Sequence, residues 1–203
     1  EISEDVQHAF VAIEDERFYE HNGIDPMGIA RAFVRGVANG GHFTEGASTI
    51  TQQLIKNNIF PNFVSENTFF ERAERKIQEQ YLALKIEKQM SKDEILESYL
   101  NTINLGQNTL GIQSASMRYF NKDASELTLS EAAVIAGITQ SPTTLNPIDN
   151  PEANQRRRDE VLQKMLDQGY ITREEYDSAK ADDVYARIQN VNSQITDDTP
   201  TTY

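Results

Sequence analysis

Glu14 and Glu79 lie 65 residues apart in a chain of 203, each inside a charged run of a different kind. The first run reads Glu14-Asp15-Glu16-Arg17-Phe18-Tyr19-Glu20-His21-Asn22-Gly23; in the second, Arg72, Arg75 and Lys76 precede Glu79. Between them, Gly46-Ala47-Ser48-Thr49-Ile50-Thr51-Gln52-Gln53 reads as a small-residue turn opening into a polar helix. Carboxylates can move protons, the amides of a helix start can hold an anion, and a cationic helix face can neutralise departing charge. These parts suit group transfer from a diphosphate.

Each constellation also has a plainer explanation. Gly46 permits an unusual backbone angle, and Ser48 and Thr49 offer hydroxyls at a helix start. Gln52, Gln53 and Lys56 share one broad face of the helix that follows. A capped amphipathic helix with a solvated lysine accounts for the same residues. Arg72, Arg75, Lys76 and Glu79 follow i, i+3, i+4, i+7, which puts three cations and a carboxylate on one face. Ala73, Ile77 and Leu84 fall on another face and are expected to pack inward; a surface helix laced with ion pairs to Glu71 and Glu74 is the alternative. Glu14 follows Val6, Ala9, Phe10 and Ile13 at helical spacing, so it sits near the end of a buried helix with Phe18 just beyond. Desolvation there would raise a carboxylate's pKa and suit it to proton transfer near neutrality, whereas pairing with Arg17 would make it structural. His21, before Asn22-Gly23, fits a turn-stabilising role, and His8 and His42 show no ligand spacing with it. No protein-built metal site is expected.

Start and stop signals that position these residues are helical, and alternating strand patterns are scarce. The spacing predicts an all-α fold. Asp25-Pro26 should cap a helix whose buried stripe is Ile29, Ala30, Phe33, Val34 and Val37, stopped by Gly40-Gly41. Ser91 with Glu94, Thr128 with Glu131 and Thr172 with Glu175 are capping boxes. Asn150-Pro151 opens a helix running through Val161, Leu162, Met165 and Leu166 to Gly169. From about Ala181 apolar periodicity fades toward Thr196-Asp197-Asp198-Thr199-Pro200-Thr201-Thr202, which reads as a linker over 181–203.

A net charge of −13 argues against a general nucleic-acid partner, because the chain's overall field repels phosphate. The charge is uneven: residues 46–88 carry six basic side chains against five acidic ones, so that stretch is +1 and the rest −14. An anionic ligand should be drawn there. The chain has no cysteine, which excludes disulfides and thiolate zinc sites. No run approaches the roughly 18 apolar residues of a membrane-spanning helix. Because the sequence starts at Glu1, an excised fragment is expected. Phe60, Phe63, Phe69 and Phe70, near Pro61 and Val64, suit either a locally packed loop or a bilayer interface.

In combination these segments resemble the peptidoglycan glycosyltransferase family, glycosyltransferase family 51, found in class A penicillin-binding proteins and monofunctional transglycosylases. Four motifs match in order over about residues 3–180: Glu14-Asp15 through Phe18, His21 and Gly23; Gly46 through Gln53; Arg75-Lys76 with Glu79; and Ile95-Leu96-Glu97 with Tyr99-Leu100-Asn101. The resemblance implies a lysozyme-like large lobe with a smaller membrane-facing jaw, roughly 41–72, within a glycosyltransferase domain spanning 1–180. It implies action on lipid II and the growing glycan strand at the outer leaflet of the cytoplasmic membrane. An N-terminal transmembrane anchor absent from this sequence, and a transpeptidase domain after the linker, are further expectations. Glu14 matches the general base that deprotonates the acceptor hydroxyl as it attacks C1 of the donor, with inversion to a β-1,4 link and release of polyprenyl diphosphate.

Lys56 and an arginine near Arg72 match the positions that hold the diphosphate, together with Arg75 and Lys76. Asp15, Phe18, His21, Gly46, Ser48, Thr49, Gln52 and Gln53 match the lining of the same cleft. Glu79 matches the second essential glutamate, which either organises Arg75 and Lys76 or helps place a divalent cation; the neighbouring cations favour the first role. No obligatory cofactor is implied, and Mg2+ or Mn2+ would bind with the substrate diphosphate. Two departures stand out. The register of Arg72 is ambiguous, and where the family often has an aromatic-glycine loop this chain has Ile103-Asn104-Leu105-Gly106-Gln107-Asn108-Thr109-Leu110-Gly111. The rivals are a lysozyme-like hydrolase or lytic transglycosylase, which has no need for cations around a diphosphate, and a non-catalytic binding module, which has no need for Glu14 and Glu79.

Overall fold

Capping boxes fix where several helices begin. In the computed structural model, which describes residues 2–40, 46–60 and 68–197, the side chains of Thr68, Thr128 and Thr172 each accept from the amide three residues on, and the glutamate there reaches back. Ten α-helices follow in chain order among the described residues: α1 Glu4–Glu14, α2 Pro26–Ala38, α3 Ile50–Ile59, α4 Phe69–Ile86, α5 Lys92–Thr102, α6 Ile112–Phe120, α7 Leu129–Ala136, α8 Pro151–Asp167, α9 Arg173–Ala181 and α10 Val184–Asp197. A single isolated bridge, Asn104 with Leu110, is the extent of extended pairing among them. The fold is all-α. The chain divides into two compact units, one of residues up to Ile13 with those from Ile103 onward, the other Glu14–Thr102.

The first unit is built around α7. Every residue from Ser130 to Ala136 is buried, as expected for a helix apolar on nearly all sides. It packs on α8 through Val161, Leu162 and Met165, and α8 in turn packs on α9. Buried Asn154 is fully satisfied: it donates to the carbonyls of Val134 (3.1 Å) and Leu145 (2.8 Å) and accepts from the Tyr185 hydroxyl (2.6 Å). That hydroxyl belongs to α10, and Val184 and Ile188 of the same helix are buried. After a break at Asp182 and Asp183 the stretch is helical from Val184 to Asp197, where the sequence signalled a loss of periodicity; a short stripe of two core residues is too brief to register as a period.

The second unit centres on α3, which packs on both α4 and α5. Ile50, Leu54 and Ile55 meet a core that includes Phe18, Ala83, Ile95, Leu96, Tyr99 and Leu100. Two expectations are overturned here. On α2 the apolar stripe faces outward, with Met27, Phe33, Val34 and Val37 all more than half exposed and only Gly28 and Gly36 buried. On α4, Ile77 is 69% exposed and Leu84 42%, while Glu79 on the opposite side is fully buried. Amphipathic spacing separates two faces but does not say which neighbour each face meets; here the charged side meets protein. Residues 41–45 and 61–67, which include Gly41, Phe63 and much of the phenylalanine-rich segment, lie outside the described residues.

Candidate active site

All the residues singled out for chemistry lie in the second unit. Glu14 closes α1, and the chain then turns through Asp15–Gly23 before entering α2. The turn is fixed by a buried pair. Asp15 receives the His21 Nε2 proton, with both carboxylate oxygens 2.9 Å from that nitrogen, while Oδ2 also accepts from the Ile50 amide at 2.9 Å. His21 Nδ1 accepts from the Gly23 amide at 3.1 Å, which assigns the remaining ring proton to Nε2. Asp15 therefore satisfies an orphan amide of the first turn of α3 and locks the turn onto that helix. Gly23 is required: its φ is +91°, and a Cβ there would lie 2.8 Å from the Ala83 carbonyl oxygen of α4.

Helix α3 starts with Thr49 as cap. Its hydroxyl accepts from the Gln52 amide (3.1 Å) and donates to the Gly23 carbonyl (2.7 Å), while Gln52 Oε1 accepts from the Thr49 amide (3.0 Å). Thr49 and Gln52 are buried and hold the framework. Gly46 departs from its expected role, because its φ lies outside the left-handed region and a Cβ there would meet nothing within 4 Å. It lines a small cavity with Glu14, Asp15, Ser48 and Thr49.

Gln53, next along α3, donates from Nε2 to Glu14 Oε2 at 2.9 Å, and its Oε1 faces the Tyr99 hydroxyl at 3.4 Å. Tyr99 is buried on α5, and burial, reinforced by the negative charges of Glu14 and Asp15, pushes its phenol well above the usual range. It stays a donor. Sequence reasoning matched Tyr99 to a motif but gave it no role, because Tyr99 with Ile95 and Leu96 reads simply as a core stripe.

On α4, Arg75 and Lys76 close on the fully buried Glu79, Arg75 Nη1 on Oε1 and Lys76 Nζ on Oε2 at 2.8 Å. Lys76 also donates to the Ser48 hydroxyl at 3.0 Å, tying the cationic cluster to the turn before α3. Half-buried Lys56 on α3 lies in the field of this cluster. Its ammonium is held below its ordinary value chiefly by burial, then by repulsion from Lys76 and Arg75, against the pull of Glu79 and Glu14. Glu14 and three cations thus share one electrostatic environment. Arg72 is exposed a turn earlier on α4.

A further set escaped sequence reasoning. Thr51 donates to Glu87 Oε1 at 2.6 Å, Lys92 donates to the same carboxylate at 2.8 Å, and Lys92 Nζ sits 4.5 Å from the centre of the buried Phe18 ring. These contacts clamp α3 and the segment after α4 around Phe18. Only the identity of Phe18 as a motif residue was legible beforehand.

Residues 1–166 match the protein family described as Transglycosylase. The chain belongs to that family, the peptidoglycan glycosyltransferases of family 51, and it is a glycosyltransferase domain of the kind carried by class A penicillin-binding proteins. Members of the family are enzymes, and so is this one. It is 48% identical over 178 residues to Penicillin-binding protein 1A of Haemophilus influenzae, covering 88% of this chain and 20% of the relative. Penicillin-binding protein 1F of Bacillus subtilis is 48% identical over 175 residues, covering 86% and 23%. Penicillin-binding protein 1A of Escherichia coli is 46% identical over 187 residues, covering 92% and 21%. The chain therefore spans about a fifth to a quarter of the length of these relatives. A crystal structure of the Haemophilus influenzae protein aligns with 46% of this chain and 14% of its own at 47% identity and a TM-score of 0.44.

Proposed function

We propose that this glycosyltransferase domain polymerises lipid II, with Glu14 as the general base and Lys56, Arg75 and Lys76 as the stabilisers of the departing diphosphate. Glu14 takes the proton from the 4-hydroxyl of the acceptor's N-acetylglucosamine as that oxygen attacks C1 of the donor's N-acetylmuramic acid. The C1–O bond to the diphosphate breaks, the configuration inverts, and polyprenyl diphosphate leaves with the electron pair. A positioned base supplies ~10²–10⁴-fold, so orientation and neutralisation of the leaving group supply the rest. The observation that carries this reading is that the start of α3 joins the two charge sets: Lys76 of the cationic cluster donates to Ser48, Gln53 donates to Glu14, and Glu14 and Ser48 line one cavity. A glycan hydrolase has no developing diphosphate for three cations to meet.

Glu79 acts through its neighbours. Both carboxylate oxygens accept from Arg75 and Lys76, which sets the direction of those cations. This occupancy makes Glu79 a poor ligand for a divalent cation, and no group of three or more acidic or His side chains among the described residues is arranged to hold one. Mg2+ or Mn2+ would enter as part of the substrate, on the diphosphate oxygens. Asp15, Thr49 and Gln52 shape the cleft from within the framework, Phe18 and His21 hold its turn, and Gln53 aims Glu14.

The outward apolar faces of α2 and α4 support a lipid-facing surface for the second unit, in keeping with a polyprenyl-linked substrate at the outer leaflet. No helix among the described residues is long and apolar enough to cross a membrane. We assign the anchor to a preceding segment of the parent chain and a transpeptidase domain to a following one; the penicillin-binding names and much greater length of the relatives support both. The test pairs Glu14→Gln with the native chain on lipid II and on mature peptidoglycan. Polymerisation by the native chain and its loss in the variant are expected. Degradation of mature glycan with lipid II untouched would refute the transferase reading.

A further inference from the structure

The start of α3 is held residue by residue. The Ile50 amide donates to Asp15 Oδ2 (2.9 Å), the buried Thr51 hydroxyl to Glu87 Oε1 (2.6 Å) and the Gln53 side-chain amide to Glu14 Oε2 (2.9 Å), while Gln52 closes the capping box with Thr49. Successive side chains leave a helix about 100° apart, so these bonds pull in different directions and fix the rotation of α3 about its axis. A side-chain end lies about 5–6 Å from that axis, so a rotation of about 10° would carry it about 1 Å. Misplacement on that scale costs a reaction about 100-fold in rate.

Asp15 and Glu14 belong to the turn being aimed, and Thr49 to the helix's own cap; the Thr51 bond refers α3 to an independent frame. Glu87 follows α4, its side chain 4% exposed and each carboxylate oxygen 2.8 Å from Lys92 Nζ. A buried carboxylate needs such partners, and Lys92 and Thr51 supply them. Lys92 opens α5, whose start is set by a capping box: the Ser91 amide donates to Glu94 Oε2 (2.7 Å) and the Glu94 amide to the Ser91 hydroxyl (3.3 Å). The Lys92 ammonium also lies 4.5 Å from the centre of the Phe18 ring, which meets the His21 ring edge-on at 6.3 Å. Lys92 thus braces both sides of the Glu14–Gln53 contact, the turn through Phe18 and α3 through Glu87 and Thr51. Tyr99, two turns along the same face of α5, faces Gln53 from that helix as well. All of these residues lie in the second unit.

We propose that Thr51, Glu87 and Lys92 are positioning residues for the base: they set the rotation of α3 at which Gln53 aims Glu14. The aim itself rests on geometry alone; its value to the reaction rests on the reading of Glu14 as base. A double-mutant cycle on lipid II polymerisation compares the native chain, Thr51→Val, Gln53→Ala and the pair, each assayed below its melting temperature. Thr51→Val keeps the branched shape and removes the hydroxyl. It should lower kcat about fivefold with KM unchanged, and Thr51→Ser should recover most of the loss. In the Gln53→Ala background Thr51→Val should cost less than about twofold, because the amide it aims is gone. Lys92→Gln, which leaves Thr51 intact and releases Glu87 from α5, should give the same pattern and carries the test if Thr51→Val does not fold. A second readout needs no substrate: the NMR signal of the Gln53 side-chain amide, identified by its loss in Gln53→Ala, should shift in Thr51→Val and return in Thr51→Ser.

Equal losses in the two backgrounds would make Thr51 a merely structural residue and overturn the proposal. So would a raised KM with kcat intact, or a Gln53 amide signal that Thr51→Val leaves in place. If Glu14→Gln polymerises as the native chain does, the assignment of the base fails, and the Gln53 signal alone then decides whether Thr51 aims that amide. If Glu14→Gln is inactive while the cycle is additive, the base stands and only the positioning role falls.

Discussion

Gln53 donates from Nε2 to Glu14 Oε2 at 2.9 Å, and that amide cannot rotate freely because its oxygen faces the Tyr99 hydroxyl at 3.4 Å. The proposed base is thus aimed from the second turn of α5 through the first turn of α3. Removing the Tyr99 hydroxyl while keeping its ring should loosen the aim without opening a cavity. Tyr99→Phe is expected to lower kcat about fivefold, the value of a hydrogen bond of about 1 kcal/mol, with KM for lipid II little changed. Gln53→Ala should cost more, about 10–100-fold in kcat, since the carboxylate then loses the amide that aims it. A rise in KM with kcat intact would mark both residues as substrate contacts instead.

Much of this geometry was not legible in the sequence, for a definable reason. Capping boxes at Ser91, Thr128 and Thr172 and the Asp25-Pro26 start were readable because they act within four residues. So was the grouping of Arg75, Lys76 and Glu79, whose i+3 and i+4 spacing put them in contact. The Asp15 contact to the Ile50 amide spans 35 residues and the Tyr99 contact to Gln53 spans 46, and neither leaves a local pattern. The outward stripes of α2 and α4 misled for another reason: a period of 3.6 is the same whether the apolar side meets a core or a lipid surface.

Glu79 is fully buried with Arg75 and Lys76 on its two oxygens. Glu79→Gln removes one buried charge and leaves its partners with a neutral amide. The expected loss is about 3 kcal/mol of folding stability, at the low end for broken buried pairs because Lys76 is 44% exposed and partly solvated. Urea unfolding measures it as a lowered midpoint at unchanged slope. Polymerisation should fall even at temperatures where the variant is folded, because the cations lose their alignment. A fully active, equally stable Glu79→Gln would reject the organising role.

Asp15 and Gly23 anchor the turn that follows Glu14, and Gly23 tolerates no side chain. Gly23→Ala places a Cβ at 2.8 Å from the Ala83 carbonyl oxygen on a backbone at φ +91°. The strain and the clash should together cost about 2–3 kcal/mol and lower the melting temperature by several degrees. Activity should drop further than stability alone requires, because the Thr49 hydroxyl bond to the Gly23 carbonyl and the His21 bond to its amide shift together. Thermal unfolding and lipid II polymerisation on the same sample separate the two effects.

The apolar faces of α2 and α4 should report on lipid contact. With a net charge of −13 the chain is repelled by anionic bilayers, so binding through apolar contact should be stronger to neutral phosphatidylcholine vesicles than to phosphatidylglycerol ones. Val34→Asp and Ile77→Asp, both at exposed positions, should weaken vesicle co-sedimentation while leaving the melting temperature within about 1 °C, since exposed sites change stability little. Unchanged sedimentation in both variants would remove these faces from the lipid surface.

Lys56 gives the diphosphate assignment a pH signature. Burial first, then Lys76 and Arg75, hold its ammonium below the ordinary 10.5, so between the lowered value and 10.5 the unfolded chain binds more protons than the folded one. Stability should therefore rise with pH through that window, and the cost of the charged ammonium is felt in full below it. A bound anion reverses the preference. Pyrophosphate binding should draw a proton onto Lys56 within the window, and its affinity should fall as pH rises through the window. Calorimetry in two buffers of different ionisation enthalpy reads the proton uptake directly. Lys56→Gln should bind pyrophosphate more weakly and lose the uptake; a variant that keeps both would exclude Lys56 from the diphosphate site.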